Sequence, residues 1–196
     1  YWNETQDTTT SSYNNWVTGT LNTYLNNDYY NALNTDAKNM IGTTKYYLGG
    51  YKDSKITSDI MWQYERKNET NKTGYYYRTN PIMQNDANKN LAIMYASDYG
   101  YAASKECKDI LYKYDNALNC NKSDNWLDKN IDTWLLSQNS ITNSNVFNIN
   151  LSSYVGNDNG GVYSLKYAIF PVLSLSSNVK ISSGTGTNSD PYQLSL

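Results

Sequence analysis

The sequence predicts an α+β domain, from three observations. Apolar residues recur at spacings of three and four between Trp16 and Ile41, and at every second position in most of the last third. Turn-forming residues then separate the alternating runs, as in antiparallel sheet. At 196 residues the chain can bury one generous core, and one domain over residues 1–196 is expected, with a helical part at 1–44 and a mixed sheet part at 45–196.

The first helix is expected over Trp16 to Leu33, where Val17, Leu21, Tyr24, Leu25, Tyr29, Ala32 and Leu33 form one stripe. A second short helix follows, with Asn34 or Thr35 as N-cap, Ala37, Met40 and Ile41 on its apolar side, and Gly42 as its stop. Lys45 to Tyr51 and Ile56 to Tyr64 alternate as strands, with Gly49-Gly50 punctuating the first. Lys67 to Asn90 is polar apart from Tyr75, Tyr76 and Tyr77 and contains Pro81, so it reads as an extended surface excursion. Leu91 to Tyr95 reads as a buried strand, and Ser97 as the cap of a short helix through Ala103. A further helical stripe runs through Cys107, Ile110, Leu111, Tyr114 and Leu118.

Strands are then expected at Trp134 to Leu136, at Phe147, Ile149 and Leu151, at Tyr163 to Ile169, at Val172 to Leu175 and at Val179 to Ile181. The turn residues from Asn157 to Gly161 make these an antiparallel meander. No internal repeat or heptad pattern occurs.

Composition excludes several functions. Lys and Arg number 16 against 18 Asp and Glu, with no basic block, so nothing prepares the chain for a nucleic-acid backbone or an anionic membrane surface. Only 17% of residues are charged, so the polarity comes mostly from Asn, Ser, Thr and tyrosine hydroxyls, a surface that is wet without being ionic. There is no long apolar run and no leader at Tyr1-Trp2, which reads as a mature or trimmed ectodomain whose export signal or anchor has been removed. Cys107 and Cys120 are spaced for a local disulfide in an oxidising compartment, against the alternative of two buried thiols in a cytosolic protein.

Histidine is absent, which removes the commonest general base, the usual Ser and Cys triads and most zinc and copper sites. Asp124 with Asp128, and Asp109 with Asp115, could serve as glycosidase-like pairs, but each lies in a polar, solvated segment. The loop from Asn157 to Gly161 lacks the spacing and distal Glu of an EF-hand and reads as a hairpin turn. Sequons begin at Asn3, Asn68, Asn71, Asn121 and Asn150, most of them by coincidence in so Asn-rich a chain. No catalytic residue, metal site or cofactor is expected.

The 21 tyrosines carry the functional expectation, because tyrosine joins a rigid contact surface to a hydroxyl and its ring suits sugar faces. Tyr24, Tyr29, Tyr114, Tyr163 and Tyr167 fall on expected core faces. Tyr75, Tyr76 and Tyr77 cannot all face inward and are the candidate ligand contacts.

Taken in order, a set of motifs resembles a family of uncharacterised domains in exported proteins of gut Firmicutes and their wall-less relatives. The set opens with Trp16, Leu21 to Asn26, Tyr29-Tyr30, Lys38 to Ile41 and Tyr47-Leu48-Gly49-Gly50. It continues through Tyr64-Glu65-Arg66, Ile93 to Ser104, both cysteines, Asn125-Trp126-Leu127 and Trp134-Leu135-Leu136. Pro171 to Leu175 and the tail Gly184 to Tyr192 close it, so nearly the whole chain is covered. The resemblance implies a C-type-lectin-like domain, with early helices flanking a twisted antiparallel sheet that a C-terminal strand closes. It further implies a place in type IV pilin-like subunits, whose apolar N-terminal helix would be missing here.

Two departures stand out. Ile169 and Phe170 precede Pro171 where the family carries a Val-Arg pair, and the calcium-dependent sugar signature of true C-type lectins is absent. The expected role is a non-enzymatic surface adhesion domain, the head of a pilin-like filament subunit. Its partners would be neighbouring copies or a host surface glycan or protein, never nucleic acid, with the membrane reached only through the removed anchor. A purely structural subunit and a cysteine-dependent enzyme resembling the sulfatase-modifying branch of the fold are the alternatives.

Overall fold

The computed structural model describes residues 1–6, 13–66, 85–103, 107, 109–114, 120, 125–157, 165–187 and 189–196, with 85–89 described for their backbone. Within these residues the chain is α+β: short helices and four small antiparallel sheets.

The first helical rod is continuous but not uniform. The α-helical turns α1 (Thr20–Thr23) and α2 (Tyr30–Ala32) flank a π-helical stretch, Tyr24–Tyr29. That wider turn changes which residues face inward. Leu21 and Leu25 are buried, but the next residue packed on the core is Tyr30, five positions on. Tyr24 and Tyr29, expected on the core face at ordinary helical spacing, are therefore exposed, and Val17 is exposed ahead of the first turn.

Helix α3 (Thr35–Met40) begins as expected at Asn34, whose side chain accepts a hydrogen bond from the Ala37 N–H at 2.8 Å. It passes directly into β1 (Ile41–Gly42), and β2 (Thr44–Tyr47) follows. Ile56 to Tyr64 is not a strand. Helix α4 (Ser58–Arg66) occupies most of it, burying Ser58, Met61, Tyr64 and Glu65 at helical spacing and leaving Ile60 and Trp62 exposed. The apparent alternation came from counting those two outward residues as core.

Residues 85–89, within the expected polar excursion, form β3 (Asn85–Lys89), which pairs antiparallel with β2. This strand is held by its backbone ladder and has no apolar signature in sequence. Strand β4 (Leu91–Ile93) leads into α5 (Ala96–Tyr101). The helix is capped from Tyr95, whose N–H donates to the Asp98 carboxylate at 3.2 Å, so Ser97 lies inside the first turn rather than at the cap. The stripe from Cys107 to Leu118 gives only a 3-10 turn, Leu111–Lys113, among its described residues. The N–H groups of Leu111 and Tyr112 donate to the carbonyls of Ile56 and Ser54 at 3.0 and 3.1 Å, so this segment is tied to a neighbouring loop instead of coiling on itself.

Strands β5 (Thr133–Gln138) and β6 (Val146–Ile149) are expected, but their antiparallel meander is completed by β7 (Val155–Asn157), an unexpected strand that takes in Asn157 of the expected turn; residues 158–161 of that turn lie outside the described residues. Leu151, expected in that alternation, lies beyond β6 and is exposed. Of the expected strand at Tyr163 to Ile169, the described part makes one parallel bridge, Ala168 to Thr133, while Leu165, Tyr167 and Ile169 pack on the core. Strand β8 (Pro171–Leu175) leaves the meander and lies between β1 and β4, bringing the late chain back to its beginning. Strands β9 (Lys180–Ser183) and β10 (Gln193–Ser195) make a separate ribbon.

Every residue of β5 is buried, because the strand is the wall between two cores. Trp134 and Leu136 face a cluster with Trp2, Trp16, Leu25 and Ile93, while Leu135 faces one with Met61, Tyr99, Leu111 and Phe147. Beyond its ladder with β6, β5 donates backbone hydrogen bonds from Trp134 to Ala168, Leu136 to Met94 and Gln138 to Gly49. Gly49 and Gly50 allow this approach: a Cβ on Gly50 would stand 1.8 Å from the Gln138 carbonyl oxygen, and one on Gly49 2.1 Å from that of Tyr64.

Candidate functional site

The described residues bring together one chemistry-bearing cluster, where the end of α4 meets the start of α5 and β5. Glu65 is fully buried. Its carboxylate accepts hydrogen bonds from the hydroxyls of Ser97 and Ser137 and from the Ser97 N–H at 3.2 Å. Ser137 accepts in turn from the Ala96 N–H at 2.9 Å, and Ser97 from the Arg66 guanidinium at 2.7 Å. Arg66 lies 3.6 Å from the Glu65 carboxylate, pairs with Asp98, and stacks 3.9 Å above the Tyr95 ring. The Tyr95 hydroxyl donates to the Tyr47 carbonyl at 2.8 Å, which ties β2 into the network.

Burial drives the Glu65 pKa upward, against the opposing pull of the Ser137 and Ser97 hydroxyls, Arg66 and the Ser97 N–H. Burial likewise raises the Tyr95 hydroxyl. A perturbed, buried carboxylate marks many active sites. Here its neighbours are hydrogen-bond donors fixed in the fold, and it is sealed from solvent, so the arrangement clamps two helices to a strand. Glu65 lies one residue beyond the expected strand and carries no signal of burial there; its position four after Met61, in helical register, is the signal the sequence holds.

Cys107 and Cys120 are joined in a disulfide, with Cα atoms 5.0 Å apart, and Cys120 is buried in the second core. That Cα separation is ordinary for such a bond, and neither sulfur is a free thiol. Tyr75, Tyr76 and Tyr77 lie outside the described residues, as do Asp115 and Asp124 of the two carboxylate pairs, Tyr163, and the sequons at Asn68, Asn71 and Asn121. Asp109 faces Lys113 at 4.0 Å, and Asp128 is engaged by Ser153, so neither remaining carboxylate is placed as half of a described dyad. Tyr114 is buried as expected, its hydroxyl 3.1 Å from that of Ser58. Among the described residues no group of histidine, cysteine or carboxylate side chains could hold a metal ion, and no helix is long and apolar enough to cross a membrane.

Several asparagines are buried and work inside the fold. Asn14 is buried and donates to the carbonyls of Asn139, Thr142 and Asn145. Asn26 accepts from the N–H groups of Asn90 and Leu91 and donates to the Leu91 carbonyl at 2.9 Å, so its amide acts as a stub of strand beside β4. These amides satisfy backbone groups of the loops and strand ends around them.

Several aromatic side chains stand outside both cores. Trp126 is 71% exposed, and Tyr101 and Tyr112 are also exposed. Tyr112 stacks against Tyr154 with ring centroids 4.9 Å apart. The segment carrying Trp126 is fastened through buried Tyr99: its carbonyl accepts from the Asn125 side chain at 2.8 Å and its hydroxyl donates to the Ser153 carbonyl at 2.7 Å. Ser153 also donates to Asp128, which closes the circuit between the Trp126 segment and the β6–β7 turn.

No family model, curated protein or solved structure matches the chain.

Proposed function

We propose that this chain is an extracellular, surface-displayed binding domain, the globular head of a pilin-like filament subunit, acting by contact rather than catalysis. The observation that carries this reading is the set of outward-facing aromatic side chains, Trp126, Tyr101 and Tyr112, which join neither core. The disulfide fits an oxidising compartment. The return of β8 to pair with β1 and β4 supports a C-type-lectin-like arrangement, in which a late strand closes a small sheet flanked by early helices. Membership of the exported domain family rests on the ordered motifs of the sequence. A catalyst using reactive cysteines fits poorly with two sulfurs bonded to each other.

A bead-adhesion assay tests the proposal: beads coated with the domain should be retained on host cells or mucus, and uncoated beads should not. Absence of retention both for the domain and for the native assembly would defeat it.

A second reading, a structural subunit that packs against copies of itself, is favoured by the C-terminal strands. Leu173, Leu175, Ile181 and Leu194 are all exposed there, and a two-stranded ribbon such as β9–β10 is marginal by itself. Imaging of native cells should then find the chain repeating along a fibre. Dispersed monomers would remove this second reading.

A further inference from the structure

We infer that the groove holding Trp2 is a docking site between copies of this chain, filled in an assembly by the Tyr1–Gln6 segment of a second copy. The inference rests on the structural-subunit reading above and names the contact that would join the copies.

The segment sits in its groove as a bound peptide does. Trp2 is fully buried: its indole N–H donates to the Leu135 carbonyl of β5 at 3.2 Å, and its ring meets that of Trp16 edge-on, with centroids 5.4 Å apart. Its carbonyl accepts from the Leu21 N–H at 3.2 Å. Asn3, buried beside it, accepts from the Thr20 N–H and hydroxyl at 3.3 and 3.2 Å and donates to the Tyr13 carbonyl at 3.0 Å. The Glu4 N–H donates to the Thr20 hydroxyl at 3.1 Å, and the Tyr1 ring lies 5.1 Å from the Lys166 ammonium. Every partner in this set comes from residue 13 onward, so the groove is built without the segment that fills it.

The occupant is therefore the segment itself. Residues 1–6 belong to no helix or strand, and Tyr1, Glu4, Thr5 and Gln6 are exposed, so the hold is concentrated on Trp2 and Asn3. Asp7 to Ser12, the stretch between the anchor and Tyr13, is one aspartate, three threonines and two serines, and it contributes no apolar side chain to either core. A second copy presents the identical anchor to the identical groove, so each contact made within one chain can be made between two, at no cost in complementarity.

Concentration decides which form prevails. A segment tied back by a short connection competes at an effective concentration on the order of millimolar. Dilute chains at micromolar concentration thus keep their own anchors by about a thousandfold, and exchange becomes comparable where copies are crowded, as along a fibre.

The experiment mixes full chains of ordinary and heavy isotopic composition, holds them at micromolar or millimolar concentration until the pattern is constant, and joins the Tyr1 α-amine to Lys166 with an amine cross-linker. Mass spectrometry should find products of mixed isotope, Tyr1 from one chain and Lys166 from the other, rare at micromolar and a large share at millimolar concentration. When the chain donating Tyr1 carries Trp2→Ala, the mixed products should fall by about tenfold or more. Should that variant not fold, Asn3→Ala, which strips the bonds to Tyr13 and Thr20, serves as the weakened donor. Only same-isotope products at millimolar concentration, or mixed products undiminished by a folded, weakened donor, would overturn the inference. A fibre on native cells whose chains give no mixed products overturns this inference alone; dispersed monomers on native cells remove the structural-subunit reading beneath it.

Discussion

Replacing Glu65 probes the clamp between α4, α5 and β5 directly. Glu65→Ala strips acceptors from the Ser97 N–H and from two buried hydroxyls. The hydroxyls can turn to other partners, but the N–H cannot, and Arg66 loses a neighbour at 3.6 Å. One unmet buried donor costs about 1–3 kcal/mol, and breaking a buried charged cluster about 3–5 kcal/mol, so a loss of about 3 kcal/mol is expected. Glu65→Gln keeps the shape and one carbonyl acceptor, and should cost about 1–2 kcal/mol near pH 5.

The pH dependence is more diagnostic. Because burial raises the Glu65 pKa above its usual 4.5, the folded protein holds this proton more tightly than the unfolded chain. Its contribution is therefore complete below the unfolded value and is lost as pH rises through the folded one. Urea denaturation of both proteins from pH 4 upward should show the advantage of wild type over Glu65→Gln shrinking, by at most about 1.4 kcal/mol per pH unit. A difference that stays flat or widens with pH would refute the argument that desolvation dominates at this carboxylate.

Three further outcomes follow from the packing. Gly50→Ala places a methyl group against the Gln138 carbonyl and should lower stability by about 3 kcal/mol, visible as a large fall in melting temperature beside an exposed control such as Val17→Ala. Asn26→Ala removes the hydrogen bonds to residues 90 and 91 and should cost about 2 kcal/mol by urea denaturation, with Asn26→Asp recovering part because it keeps both accepted bonds. Cys107→Ser with Cys120→Ser should cost about 3 kcal/mol, and reductant should lower the wild-type denaturation midpoint while leaving the double variant unmoved.

Much of the architecture was legible where burial is one-sided or complete. Leu91 to Ile93, Trp134 to Leu136 and Phe147 to Ile149 announce strands because their apolar residues, contiguous in the first two and alternating about Asn148 in the third, are all buried. Asn34 announces a helix start because its side-chain bond is local. What escaped reading depends on distant partners. The π-helical turn moves the core contact from Tyr29 to Tyr30, a shift invisible to any fixed period. Helix α4 hid because its inward face includes Ser58 and Glu65, polar residues whose partners Tyr114, Ser97 and Ser137 are distant in sequence. The place of β8 between β1 and β4 is a long-range pairing that its alternating sequence does not specify. Trp126 could be read as aromatic but not as exposed, because the turn that carries it is tied through Asn125 to Tyr99, a partner 26 residues away.

The shared wall formed by β5 bears on how the domain comes apart. A partition that belongs to both compartments cannot be surrendered by one of them alone, so loosening the Trp2 side exposes the back of the Phe147 side at the same step. Amide hydrogens along Thr133 to Gln138 should consequently exchange last and at one common rate, and melting curves recorded from either compartment should superimpose.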